Sequence, residues 1–310
     1  MISIIIPYIG KVDKNHIIAL NQLANTEFSK INFITVYDEL EHKEMISSKV
    51  QVFDISDVFK TNNKLGVELE GLIANPYKFC DLKPFYNIIF DIQVGDYWGF
   101  SDLDCIFNSI ALSEKFSNIV HEGNNEKVYG NRGHLMVFGK QSSKWVQNEL
   151  IKVIDDFLNE NINLLDIKTN YALDEFKFLH KILSNQSNTI WDKEHFYPIM
   201  DVDYKNLVPK NLNLKEEIRF DSESIYLNKE YCNYSYIHLQ KRKIINDFSK
   251  VNDTLYLNLD EKNGHFIYSN SHREDCNSRF VDDVNYYLKM FRKRLESRLK
   301  NHGFGFRPSL

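Results

Sequence analysis

The sequence has no Cys-x-x-Cys pair. Its four cysteines, Cys80, Cys105, Cys232 and Cys276, are scattered, which fits the reduced thiols of a cytoplasmic protein better than a disulfide framework or a zinc site. No apolar run reaches the roughly 20 residues that cross a bilayer. The opening Met1-Ile2-Ser3-Ile4-Ile5-Ile6-Pro7 has no basic leader and too short an apolar stretch for an export signal. A basic excess is also missing: 38 Lys and Arg stand against 43 Asp and Glu, a net charge of -5, so nucleic acid is not an expected partner. Absent too is the Gly-rich, basic phosphate loop of sugar nucleotidyltransferases. What remains is a soluble protein, or one that sits at most on a membrane surface. Its 310 residues suffice for one large α/β domain, with or without a small appendage. The 22 Phe and 17 Tyr suit sugar stacking and an ordinary core equally.

The β-branched run Ile2 to Ile6, ended by Pro7, reads as a buried first strand. Ile17, Ile18, Leu20 and Leu23 share a helical face, and Ile31 to Tyr37 forms a second strand that stops at Asp38. This strand–helix–strand opening implies a parallel sheet with ligands at the carboxyl ends of its strands. Pro7, Tyr8 and Asp38 end the first two strands and are candidates to border a nucleotide; Tyr8 reads either as a base-stacking ring or as a core aromatic. A third strand follows at Val50 to Phe53. Helices are expected over 64–74 and 81–90, the second with Pro84 in its first turn. Further strands are read at 97–101, 135–138, 234–239 and 254–259, with helices over 142–158 and 174–184. Near the end, Val284, Leu288, Phe291, Leu295 and Leu299 form an apolar stripe among Lys289, Arg292, Lys293, Arg294, Arg298 and Lys300. That segment reads either as a helix lying on anionic lipid or as one docked on the body.

Tyr97 to Ser101 leads directly into Asp102-Leu103-Asp104. Residues i and i+2 of an extended chain point to the same side, so both carboxylates can reach one hard divalent cation, Mn²⁺ or Mg²⁺. Such an ion neutralises charge on a departing nucleoside diphosphate. The alternative is a plain acidic turn. Lys83, shortly before this triplet, is either a donor contact or a solvated helix residue. Asp174 and Glu175 open the 174–184 pattern and read either as acceptor-side carboxylates or as helix-capping acids. His134, after Gly133, is a weaker acceptor-site candidate.

Four segments carry a resemblance to a known family. They are Ser3 to Lys11, the run Tyr77-Lys78-Phe79-Cys80-Asp81-Leu82-Lys83-Pro84-Phe85-Tyr86, the stretch Asp96 to Asp104, and Tyr236-Ile237-His238-Leu239-Gln240-Lys241-Arg242-Lys243. The sequence resembles a family of bacterial sugar transferases found among capsule and lipopolysaccharide genes, and more distantly the glycogenin-type transferases. The resemblance implies a GT-A fold, an α/β architecture with a mainly parallel mixed sheet, over 1–270, followed by a basic amphipathic helix and tail over 271–310. It implies transfer of a hexose from a nucleotide-sugar, with UDP-galactose or UDP-glucose as the family-level expectation. The acceptor would be a surface glycan or lipid-linked saccharide at the cytoplasmic face of the membrane, which residues 281–300 could touch. Asp102 and Asp104 match the family's metal pair, and His238 resembles the late histidine that completes the metal site. Lys241, Arg242 or Lys243 would stabilise the diphosphate, although the glycogenin-type pattern has more residues between its His and its Lys-Pro pair. Depending on whether the anomeric configuration is inverted or retained, Asp174 or Glu175 would deprotonate the acceptor or position the donor sugar.

Two other readings stay open. A haloacid-dehalogenase-type phosphatase also uses Asp-x-Asp, with Asp282-Asp283 as a later acidic pair. A non-catalytic sugar-binding relative would keep the fold without turnover.

Overall fold

The computed structural model describes residues 1–37, 40–174, 178–186, 190–201, 217–239, 244–247, 254–260 and 265–269. In chain order the strands are β1 (Ile2–Tyr8), β2 (Ser29–Thr35), β3 (Val50–Asp54), β4 (Tyr97–Ser101), β5 (Cys105–Phe107), β6 (Val128–Arg132), β7 (Leu135–Gly139) and β8 (Trp191–Asp192). They continue as β9 (Met200–Asp201), β10 (Ile218–Phe220), β11 (Ile225–Leu227), β12 (Glu230–Tyr231), β13 (Tyr236–His238), β14 (Ile244–Asp247), β15 (Leu255–Asp260) and β16 (His265–Ser269). The helices are α1 (Lys14–Asn25), α2 (Ile55–Val58), α3 (Leu69–Ala74), α4 (Phe79–Leu82), α5 (Tyr86–Ile89), α6 (Ser109–Glu122), α7 (Lys140–Asn159) and α8 (Leu179–Ser184).

The main sheet runs β3-β2-β1-β4-β7-β6-β8. Strands β1 to β4 are mutually parallel, β7 is antiparallel to both β4 and β6, and β8 is parallel to β6. The chain is therefore an α/β protein with a large mixed sheet of mostly parallel strands. From β1 the chain adds β2 and β3 on one side and β4 on the other, so the order reverses between β1 and β4. In open α/β sheets the crevice at such a reversal, beyond the carboxyl ends of the strands, is where ligands bind.

Alternation along the strands feeds a core on each face of this sheet. Ile4, Ile6, Leu135 and Val137 pack with α1 and α6, while Ile5, Trp98, Phe100, Met136 and Phe138 pack with α4, α5 and α7. Helix α1 starts with a reciprocal cap, in which Asp13 accepts from the His16 N–H and His16 Nδ1 accepts from the Asp13 N–H. Helix α7 buries Val146, Leu150 and Ile154 at a four-residue spacing. It is pinned to the sheet by the Trp98 Nε1 donation to Ser143 Oγ at 2.8 Å. A second pin is the Gln147 Nε2 donation to the Pro84 carbonyl at 2.8 Å. Gly99 is required within β4: a Cβ would lie 2.2 Å from the Met136 carbonyl oxygen of β7.

Beside the main sheet lie a small sheet, β5-β13-β9, and a second large one, β12-β11-β10-β15-β16-β14. Gln22, fully buried on α1, accepts from the Phe107 N–H at 2.9 Å and donates to the Asp221 carbonyl at 2.8 Å, tying both to the body.

Four expected elements take a different form. Strand β1 continues through Pro7 to Tyr8, because its ladder to β4 ends at Ile5, and Pro7 pairs only with Ile34 of β2. The 64–74 helix shrinks to α3, since Gly66 adopts a positive φ of 64° in a turn held by Asn63. The 81–90 helix is split into α4, a 3-10 turn at Lys83–Phe85, and α5, because Pro84 cannot donate to the carbonyl four residues back. The 174–184 helix begins only at Leu179. Residues 271–310, with the basic stripe, lie outside the described residues. Among the described residues no helix is long and apolar enough to cross a membrane, and Cys80, Cys105 and Cys232 are free thiols.

Candidate functional site

Asp102 follows the last residue of β4, and Leu103 and Asp104 form the bend into β5. Leu103 is buried in the core while both aspartates stay partly open, so the triplet is anchored by its middle residue. The turn between β6 and β7 holds its start: the Asp102 N–H donates to the His134 carbonyl at 2.8 Å, and Ser101 Oγ donates to the same carbonyl at 3.1 Å.

Strand β13 supplies the other wall. It pairs antiparallel with β5, His238 opposite Cys105, and the Leu239 N–H donates to the Asp104 carbonyl at 2.8 Å. This register carries His238 Nε2 to 3.5 Å from Asp104 Oδ2. The His134 ring stacks on the His238 ring, centroids 3.3 Å apart and planes 27° apart. The structure thus brings together Asp104, His238 and His134 from three separate segments.

Lys83 enters from the 3-10 turn that Pro84 creates. Its Nζ lies 2.7 Å from the Gly133 carbonyl, 2.8 Å from Asp102 Oδ1 and 3.3 Å from Asp174 Oδ2. The side chain is 5 % exposed, which overturns the solvated-helix reading. Burial by itself disfavours the ammonium, but the charges of Asp102 and Asp174 more than offset it and hold the Lys83 pKa well above the usual lysine value. Helix capping by Asp174 is excluded in the same way, since it is buried in a turn five residues before α8.

What brings Asp174 here is a pair the sequence reading did not single out. Lys78 and Asp81, both fully buried, form an ion pair at 2.8 Å. Lys78 Nζ also donates to the Leu164 and Thr169 carbonyls, each at 2.8 Å, while Asp81 accepts from the N–H groups of Tyr171 and Leu173. Residues 164–173 are therefore strapped to the 77–86 run, and Asp174 comes next. Gly133 is also fitted to the site: a Cβ there would sit 3.0 Å from Asp174 Oδ2 and 3.6 Å from Lys83 Nζ. Gly133→Ala is expected to push this carboxylate aside and cost about 1–2 kcal/mol of stability, read from the shift in urea midpoint.

At the end of β1, the Tyr8 ring lies 4.5 Å from the His16 ring. Burial raises the Tyr8 pKa, and the negative charges of Asp13 and Asp104 raise it further. Burial likewise pushes the Tyr268 phenol well up, with Cys105, Asp13 and Asp104 adding to it. The charge of Asp104 thus reaches both phenols, and Tyr268 comes from late in the chain, where no local motif marks it. Pro7 sits half-buried at the same strand end. Asp38, Glu175, Lys241, Arg242 and Lys243 lie outside the described residues.

The donor chemistry of Asp102, Asp104 and His238 is that of a hard divalent ion, two carboxylates and an imidazole. Asp104 and His238 face each other, whereas Asp102 is drawn to Lys83. Among the described residues no three His, Cys, Asp or Glu side chains converge as a preformed ligand set.

Fold and site together define an α/β protein with a carboxylate, imidazole and lysine cluster at the reversal point of its sheet. Residues 4–262 match the model of a family described as a family of unknown function (DUF6625), and the chain belongs to that family. No curated protein matches the sequence.

Proposed function

We propose that the chain is a metal-dependent glycosyltransferase of the GT-A type, moving a hexose from a UDP-sugar to a growing bacterial surface glycan. The observation that carries this reading is the Asp102-Leu103-Asp104 bend at the carboxyl end of β4, beside β1, with His238 brought onto Asp104. Asp102, Asp104 and His238 would hold Mn²⁺ or Mg²⁺. When bound, such an ion supplies positive charge against the diphosphate that departs. Tyr8, at the end of β1, offers an aromatic face for a nucleotide base. Lys241, Arg242 and Lys243 follow His238 closely enough in sequence to reach the same diphosphate.

Asp174 has a different task from a free general base. Its carboxylate is buried and lies 3.3 Å from the Lys83 ammonium, so it is already engaged rather than open to an incoming hydroxyl. It suits orienting the donor sugar or stabilising positive charge at the anomeric carbon. This reading places the protein on the cytoplasmic side of the membrane, with a glycan or lipid-linked saccharide as acceptor.

Calorimetric titration of UDP, with and without Mn²⁺, tests the proposal. Wild type is expected to bind UDP in the micromolar range only with Mn²⁺, and Asp104→Ala to weaken that binding about a hundredfold. Failure of wild type to bind UDP or any other nucleotide would sink the donor-site assignment, and phosphatase substrates would be assayed next.

A further inference from the structure

The surroundings of Lys83 contain one more piece of chemistry. Its ammonium has three protons and three acceptor groups around it: the Gly133 carbonyl at 2.7 Å, Asp102 at 2.8 Å and Asp174 at 3.3 Å. No donor is left over for a phosphate, so gripping the diphosphate would require Lys83 to abandon one of these partners. Exposure is unequal across the cluster. The side chains of Lys83 and Asp174 are 5 % and 3 % exposed, that of Asp102 21 %. A cation arriving from solvent therefore meets Asp102 first, and finds it already facing a positive charge.

We propose that Lys83 is a resident competitor for the divalent cation on Asp102, and that Asp174 sets the strength of this competition by sharing the ammonium. The proposal rests on the metal-dependent reading above and adds a regulatory layer to that site. Two like charges at one carboxylate repel strongly inside a protein, where screening by water is weak. Asp174 offsets part of that repulsion by drawing Lys83 toward itself. Neutralising Asp174 leaves the ammonium wholly to Asp102, and metal binding becomes harder. Neutralising Lys83 removes the competitor, and metal binding becomes easier. Residues that merely prop up the site would give losses in both cases, so the opposite signs are diagnostic.

The test is titration with Mn²⁺ alone, following free Mn²⁺ by electron paramagnetic resonance, on wild type, Lys83→Met, Asp174→Asn and the double variant. Lys83→Met is expected to bind Mn²⁺ about tenfold more tightly, and Asp174→Asn about three- to tenfold more weakly. In the double variant the effect of Asp174→Asn should shrink to the direct attraction of that carboxylate for the cation, because the ammonium through which the rest acts is gone. Lys83→Gln, which keeps a donor toward Gly133, carries the same expectation and replaces Lys83→Met if that variant does not fold. Weaker or unchanged Mn²⁺ binding in the neutral Lys83 variants, with wild type binding normally, would overturn the competition and leave the transferase reading intact. Absence of Mn²⁺ binding in every variant, with or without UDP, would overturn both.

Discussion

Replacing Asp81 by Ala is expected to destabilise the protein by about 3–5 kcal/mol, the usual consequence of stripping one partner from a buried ion pair. Lys78 would keep its two carbonyl acceptors but lose its counter-charge, at a position with no exposed surface. The N–H groups of Tyr171 and Leu173 would lose their acceptor as well. The desolvation cost already met by Lys78 then goes uncompensated. Urea unfolding followed by tryptophan fluorescence measures the total, and hydrogen exchange across 164–174 measures how much of it is local. A loss below about 1 kcal/mol would mean that the strap does not hold this segment. Changing both partners together, Lys78→Met with Asp81→Leu, should cost less than Asp81→Ala, since no unpaired charge remains.

The second large effect concerns acid. His180, on α8, is 7 % exposed and lies 5.4 Å from the Trp191 ring. Burial, aided by the charge of Arg132, pushes its pKa down to about 4. An unfolded chain takes up this proton near pH 6.5, the folded one only near pH 4, so stability contributed by the neutral ring falls as pH drops through that interval. The expected loss is about 2 kcal/mol between pH 7 and 4.5. Urea midpoints at the two pH values, for wild type and His180→Gln, separate this residue from the carboxylates. The variant should lose about 2 kcal/mol less over the interval; an identical loss would remove His180 from the account.

Much of the frame was readable because apolar periodicity is a local property. The runs at β1, β2, β3, β4 and β7 are rich in apolar residues, many of them β-branched or aromatic, and α7 carries a clean apolar stripe. The resemblance to sugar transferases pointed to Asp102, Asp104 and His238, and the structure puts His238 against Asp104. Local signals misled where one residue breaks a pattern. Pro84 divides an apolar helical stretch, and Gly66 turns another, although both stretches keep the helical spacing. Asp174 read either as an acceptor-side carboxylate or as a capping acid, since acids favour helix starts; the helix begins only at Leu179, and the carboxylate faces Lys83. Nothing in the spacing of Lys78 and Asp81 distinguishes a fully buried pair from an exposed i,i+3 pair on a helix surface. That distinction depends on the carbonyls of Leu164 and Thr169, more than eighty residues away. Tyr268 was invisible for the same reason.

The seat of β13 against β5 also divides the site between early and late parts of the chain, which leave the ribosome at different times. By the time Asp174 has left the exit tunnel, β1 to β7 and the 77–86 run are available, so Lys83 can already meet Asp102, Asp174 and Gly133. Asp104 has to wait for its imidazole until His238 is made, 134 positions later in synthesis. Both closures span long stretches of chain and are slow compared with pairing neighbours, so it is the order of synthesis that separates them. Vectorial synthesis therefore favours assembly of the lysine half of the site before the histidine half, and a nascent chain halted between these points carries one half without the other.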